Sequence, residues 1–294
     1  MLGVSLARTA PAAGWVRIGS DRTVVYFQPA DEAYARRVLD LMAEGLPRIE
    51  ADLGVHAADT VTAMVAGSRE DFSGLTGGQI PEWGAAAADP QRLMLFFKSP
   101  RFSVEDAGSE VVLHELTHAV LGMALGGVSP PRWFDEGAAM FESGDAGMWD
   151  SFRVGRALAT GQMLWLGEIE NVLGFQRERA YLAYQESREA VDFLVRSRGR
   201  GVLAGLVRAM RGGAGFDAAF QTATGIGLDE FEQAWAADLK RKYRWVVLFD
   251  YSLWTAAAMS GLFLLAYTVK RIQSAKKKAQ WEEEARAPRT WEED

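Results

Sequence analysis

Residues Glu110 to Leu121 read EVVLHELTHAVL, and their centre, His114-Glu115-Leu116-Thr117-His118, is an H-E-x-x-H motif. Positions i and i+4 of a helix share one face, so both imidazoles can meet a single ion. A neutral imidazole nitrogen suits Zn²⁺ at about 2.0–2.1 Å. Glu115 stands beside the first histidine, near such an ion without binding it, where it can take a proton from a metal-activated water. The flanks favour a helix. Ser103 with Asp106 resembles a capping box, and Val112, Leu113, Leu116, Ala119 and Val120 supply packing surface. Gly122 and the Gly126-Gly127 pair allow the helix to end. The plainer alternative is two exposed histidines on an ordinary helix. The third histidine, His56, stands alone before Ala57-Ala58-Asp59 and reads as a surface residue.

Two histidines leave a tetrahedral metal short, because a catalytic zinc takes three protein ligands and a water. With no usable histidine left, a carboxylate must serve. Ser129 to Phe141 reads SPPRWFDEGAAMF. Ser129 can cap and Pro130 fits a first helical position, so a second helix is expected to begin there. Glu136 lies on it, 18 residues after His118. Glu136 is the favoured third ligand and Asp135 its rival, while both also suit the first turn of a helix as ordinary acids. Gly137 and Ala138 are small enough for this helix to approach the first.

Upstream, Thr23–Phe27, Thr60–Val65 and Leu93–Phe97 read as strands, and Asp31–Leu53 carries apolar residues at helical spacing. Glu70, Asp71 and Phe72 suit a short helix, and Gly74–Pro90, rich in Gly, Ala and Pro, reads as a loop. Strands crowd the first third and helices the remainder, which defines an α+β class. Of 294 residues, 49% are hydrophobic and 24% charged, so a packed core is easily supplied. The net charge of −7 argues against a nucleic-acid reader. The absence of cysteine excludes thiol catalysis, disulfides and cysteine zinc sites. Trp245–Val269, WVVLFDYSLWTAAAMSGLFLLAYTV, has one charge in 25 residues and is expected to form a transmembrane helix. Residues 1–14 read as a leader or signal-peptide remnant and 270–294 as a charged tail. Basic residues flank the apolar run on both sides, with a slight excess after it. A single-pass membrane protein with an extracytoplasmic catalytic domain and a cytoplasmic tail is therefore expected.

The pair VVLHELTHAVL and PPRWFDEGAAMF resembles the gluzincin metallopeptidases, the thermolysin-related group. More narrowly it is similar to the bacterial peptidase MA-like proteins, whose second helix carries a Pro-x-Trp-x-x-Glu-Gly-x-Ala pattern. That pattern is met here by Pro131, Trp133, Glu136, Gly137 and Ala139. The resemblance spans about residues 15–243. It implies a zincin-like fold, with a small mixed sheet over about 15–103 and a mostly helical part over about 104–243. It also implies a zinc cofactor held by His114, His118 and Glu136, and a peptide or protein substrate. Ala183-Tyr184-Gln185-Glu186-Ser187 resembles the family's next active-site helix, which makes Tyr184 the expected donor to the reaction's oxyanion, with Tyr181 the runner-up. In such proteins the strand before the zinc helix is a sheet edge to which a peptide can add. Leu93–Phe97 is thus expected to border the cleft, with Phe96, Phe97 and Trp83 offering apolar subsites.

The Gly-x-Met-Glu-Asn motif of gluzincin aminopeptidases is absent, which favours an endopeptidase. Met140 stands at i+4 from Glu136, where the thermolysin type carries an acid, so no partner for His114 is visible. The expected function is a membrane-anchored zinc metallopeptidase. Two alternatives are a non-catalytic, zinc-stabilised, membrane-tethered peptide-binding module and a metal-dependent hydrolase acting on a non-peptide substrate.

Overall fold

The β-branched and aromatic run TVVYF forms a strand buried at four of its five positions, and around it the sheet is assembled. The computed structural model describes residues 14–78, 84, 86–103, 108–144, 148–244 and 251–286. Strands β1 (Val16–Gly19) and β2 (Thr23–Phe27) form an antiparallel hairpin. Helix α1 (Glu32–Leu53) then crosses the sheet, burying Ala35, Val38, Met42, Leu46, Ile49 and Leu53 at three- and four-residue intervals. It stops at Gly54, in the left-handed conformation. β3 (Val61–Ala66) pairs parallel with β2, and α2 (Arg69–Thr76) follows, its Asp71 N–H donating to the Ser68 hydroxyl. β4 (Ala86–Asp89) and β5 (Met94–Lys98) form a second antiparallel hairpin, with β5 parallel to β3. The five strands run in the order β1-β2-β3-β5-β4.

This order corrects the expected edge. β5 lies inside the sheet between β3 and β4, and β4 is the edge on that side. AAAD has no strand propensity of its own; it is extended because its backbone pairs with Met94–Phe97 of β5. Phe97 is fully buried, and Phe96 packs with Met64, Phe72 and Ala87 in an apolar cluster. Leu95 and Phe97 point to one face of β5 and Phe96 to the other, and all three are buried, so both phenylalanines pack into the core. Trp83 lies outside the described residues.

The remaining elements are helical. α3 (Ser109–Leu125) begins after Gly108, not at a Ser103–Asp106 box, of which Asp106 lies outside the described residues. It runs through Gly122 and stops at Gly126, again left-handed. α4 (Arg132–Ser143) starts after Pro131, two residues later than Pro130 implied. A residue that precedes proline is held out of the helical region, so Pro130 cannot open the helix. α5 (Met148–Ala159), a 3-10 segment (Leu166–Gly174), α6 (Arg177–Arg198), α7 (Gly201–Arg211), α8 (Phe216–Thr224) and α9 (Leu228–Lys242) complete the first unit. α3 packs against α1, and α4 lies against both α3 and α6. Arg48 of α1 donates to the buried Glu142 side chain and, at 2.6 Å, to its carbonyl oxygen, tying α1 to the end of α4.

The chain divides into two compact units, Met1–Tyr243 and Arg244–Asp294. The second contains α10 (Tyr251–Arg286). Among the described residues, no helix is long and apolar enough to cross a membrane. This overturns the expected transmembrane helix and, with it, the single-pass membrane placement. Residues 245–250 of the expected span lie outside the described residues. Within α10 the apolar stretch is diluted by Ser260, Gly261 and Thr268, and the helix continues unbroken into Lys270, Arg271 and Lys276–Lys278.

Candidate metal centre

α3 sets His114 and His118 one turn apart with their Nε2 atoms 3.0 Å from each other. α4 brings Glu136 Oε2 to 3.5 Å from His114 Nε2 and 3.3 Å from His118 Nε2. Bonds of about 2.0–2.1 Å in a tetrahedron place ligand atoms about 3.3–3.4 Å apart, so this triangle has the size a zinc ion needs. Among the described residues these three form a group that can hold a metal ion. Asp135 does not join them. Its Oδ1 accepts from His118 Nδ1–H at 2.8 Å, on the far side of the ring, which leaves the Nε2 lone pair aimed into the triangle. Asp135 is thus placed to orient the His118 ring and lies outside the three-residue group.

The charges fit this arrangement. Burial pushes the Glu115 carboxyl above the usual carboxylate range, against the pull of His114 and His118. Burial alone would also raise Glu136, but His118 and His114 outweigh it and hold Glu136 far below its ordinary value. Burial would lower His118, yet Asp135 and Glu136 hold it well above a normal histidine. Two imidazole nitrogens and one carboxylate oxygen thus converge on one point. That is the donor set a divalent ion compensates.

Two close approaches make the geometry possible. A Cβ at Gly137 would collide with the Ser187 carbonyl oxygen and lie 2.7 Å from Val191 Cγ2, so α4 sits directly on α6. The small residue after Glu136 therefore serves the α6 contact, where α3 had been the expected neighbour. A Cβ at Gly122 would lie 2.5 Å from Pro90 Cβ, so α3 sits against the end of β4. Trp133, buried to 1% exposure, stacks on Phe231 at 6.0 Å and meets Phe216 edge-on at 5.8 Å. This cluster anchors α4 to α8 and α9 three residues before Glu136.

A cleft of about 360 Å³ opens beside the triangle. Ala88, Pro90 and Gln91 line it from the β4 turn, Glu115, His118 and Gly122 from α3, and Arg132, Asp135 and Glu136 from α4. Phe96 and Phe97 are not in this lining. Tyr184, half-buried on α6, is near enough to Glu136, Arg132 and Glu115 for each charge to act on its hydroxyl. Burial and the two carboxylates push it up to about 12, so it remains a donor at neutral pH. Tyr181 is exposed, with the Arg153 guanidinium 4.9 Å from its ring. Sequence reading missed Arg132, which sits four residues before Glu136 on the same helix face, a spacing that could have found it.

A mixed sheet, a histidine pair on one helix and a glutamate on the next thus set out a centre that could hold a metal ion. The family model of the Peptidase MA superfamily matches residues 42–241, more than half of the chain. The chain belongs to the Peptidase MA superfamily, which makes it a peptidase-type enzyme in general terms. No curated protein matches it.

Proposed function

We propose that the protein is a gluzincin-type zinc metallopeptidase that hydrolyses peptide bonds, with endopeptidase action favoured. The observation that carries this reading is the triangle of His114 Nε2, His118 Nε2 and Glu136 Oε2, 3.0–3.5 Å on a side, with Glu115 in the adjoining cleft. These three residues would hold the zinc, which when bound supplies Lewis acidity to polarise a carbonyl and acidify a water. Asp135 fixes the His118 ring. Glu115, made more basic by burial, accepts the proton of the attacking water and hands it to the leaving nitrogen. Tyr184 donates its hydroxyl hydrogen bond to the oxyanion; support for this comes from its protonated state and its electrostatic reach to Glu136 and Glu115. An extended peptide would lie along β4, the edge strand among the described residues, whose turn residues line the cleft.

The test is Glu115→Gln. Zinc content is expected to be unchanged while turnover of a peptide pool falls about 10²–10⁴-fold. A fully active variant removes Glu115 from the mechanism.

A further inference from the structure

We propose that Arg132 recognises a carboxylate on the bound peptide, which makes the cleft selective for substrates carrying a negative charge near the cleaved bond. The inference rests on reading the cleft as a peptide site. Among the described residues lining that cleft, Arg132 is the sole lysine or arginine, set among Glu115, Asp135 and Glu136. Two of these acids are engaged elsewhere: Glu136 turns Oε2 to the histidine pair, and Asp135 accepts from His118. The Arg132 guanidinium reaches Glu136 Oε1 through one nitrogen at 3.4 Å. Charge-assisted contacts are normally about 2.7–2.9 Å.

The arginines that hold this fold together look different. Arg101 grips Asp31 through two nitrogens at 2.7 Å, and Arg22 grips both oxygens of Glu50 at 2.7 and 2.8 Å. Arg132 keeps most of its planar fork uncommitted, with 34% of its side chain exposed. Its main chain is fixed, because its N–H donates to Glu170 Oε1 at 2.6 Å. A guanidinium on a fixed base with open donors is suited to bidentate capture of a carboxylate. That carboxylate is either an acidic side chain or the C-terminus of the peptide.

The test is calorimetry on the full chain carrying Glu115→Gln, so that peptides persist. The probes are an alanine-rich pentapeptide blocked at both ends, the same peptide with one internal glutamate, and the same peptide with a free C-terminal carboxylate. One charged peptide is expected to bind about tenfold or more tighter than the neutral one, and which one identifies the source of the carboxylate. Adding Arg132→Gln is expected to abolish the preference and leave neutral-peptide binding and zinc content in place. Arg132→Lys is expected to restore part of the preference. Three results overturn the proposal: no preference for charge, including no binding of any probe; a preference that survives Arg132→Gln; or a loss of zinc and of all three peptides together, which would make Arg132 a support for Glu136. A charge preference in a protein that neither holds zinc nor cleaves peptides would sink the metallopeptidase reading and leave this one standing.

Discussion

Asp135 and Glu136 are adjacent acids on one helix, and they serve different atoms of the same site. Glu136 faces the imidazole Nε2 pair, and Asp135 takes the outer nitrogen of His118. Removing an orienting partner of a ligand histidine costs about 10–100-fold in metal affinity. Asp135→Ala is therefore expected to weaken zinc binding by that factor in a chelator competition, and Asp135→Asn, which keeps an acceptor oxygen, by less. Unchanged affinity in both variants would deny Asp135 this part. Sequence alone could place both acids on one helical turn but could not decide their roles, because that choice depends on where a ring from another helix arrives. Glu186 makes a separate point about pH. It is fully buried, accepts from Leu164 N–H at 3.1 Å, and burial pushes it up to about 8. The folded protein then holds a proton that the unfolded chain releases above about pH 4.5, so stability falls as pH rises from there to about 8. Urea midpoints across this range are expected to flatten in Glu186→Gln; an unaltered slope would contradict the assignment.

At the scale of elements, the placement of α4 decides the site. Its aromatic anchor, Trp133, is seated among Phe216, Phe220 and Phe231, and Gly137 lets it touch the backbone of α6. Gly137→Ala forces a methyl against the Ser187 carbonyl and is expected to cost about 1–3 kcal/mol in denaturant unfolding. It should also weaken zinc binding, since Glu136 moves with the helix. A neutral effect on both would mean that the α4–α6 contact is slack. The apolar periodicity of α1, the run of β2 and the H-E-x-x-H of α3 were legible because each is a local pattern with a local cause. β4 was not, because AAAD becomes a strand only through its partner β5. That omission made β5 look like an edge, and the expectation that Phe96 and Phe97 offer subsites was drawn from that edge; both are buried in the structure. The start of α4 was displaced for a smaller reason, the second proline of the pair Pro130-Pro131.

For the whole molecule, the described contacts that hold the site lie within the unit Met1–Tyr243. Buried Glu189 of α6 accepts from Lys242 Nζ at 2.6 Å and from the Tyr243 hydroxyl at 2.7 Å, fastening the end of α9 to the helix that supports α4. A chain ending at Tyr243 is accordingly expected to unfold cooperatively with the zinc affinity of the full protein; aggregation of the shortened chain alone would place part of the core beyond that residue. The apolar composition of 245–269 was readable, but reading it as a span gave too little weight to the polar dilution and the charged continuation of α10. The central claim is that two helices, α3 and α4, supply a three-residue zinc site. The most direct measurement is metal content by mass spectrometry on purified protein, wild type beside Glu136→Ala. One equivalent of zinc in the wild type, lost in the variant while its fold persists, is the predicted result. A folded wild type without zinc, or a variant that keeps it in full, would contradict the account.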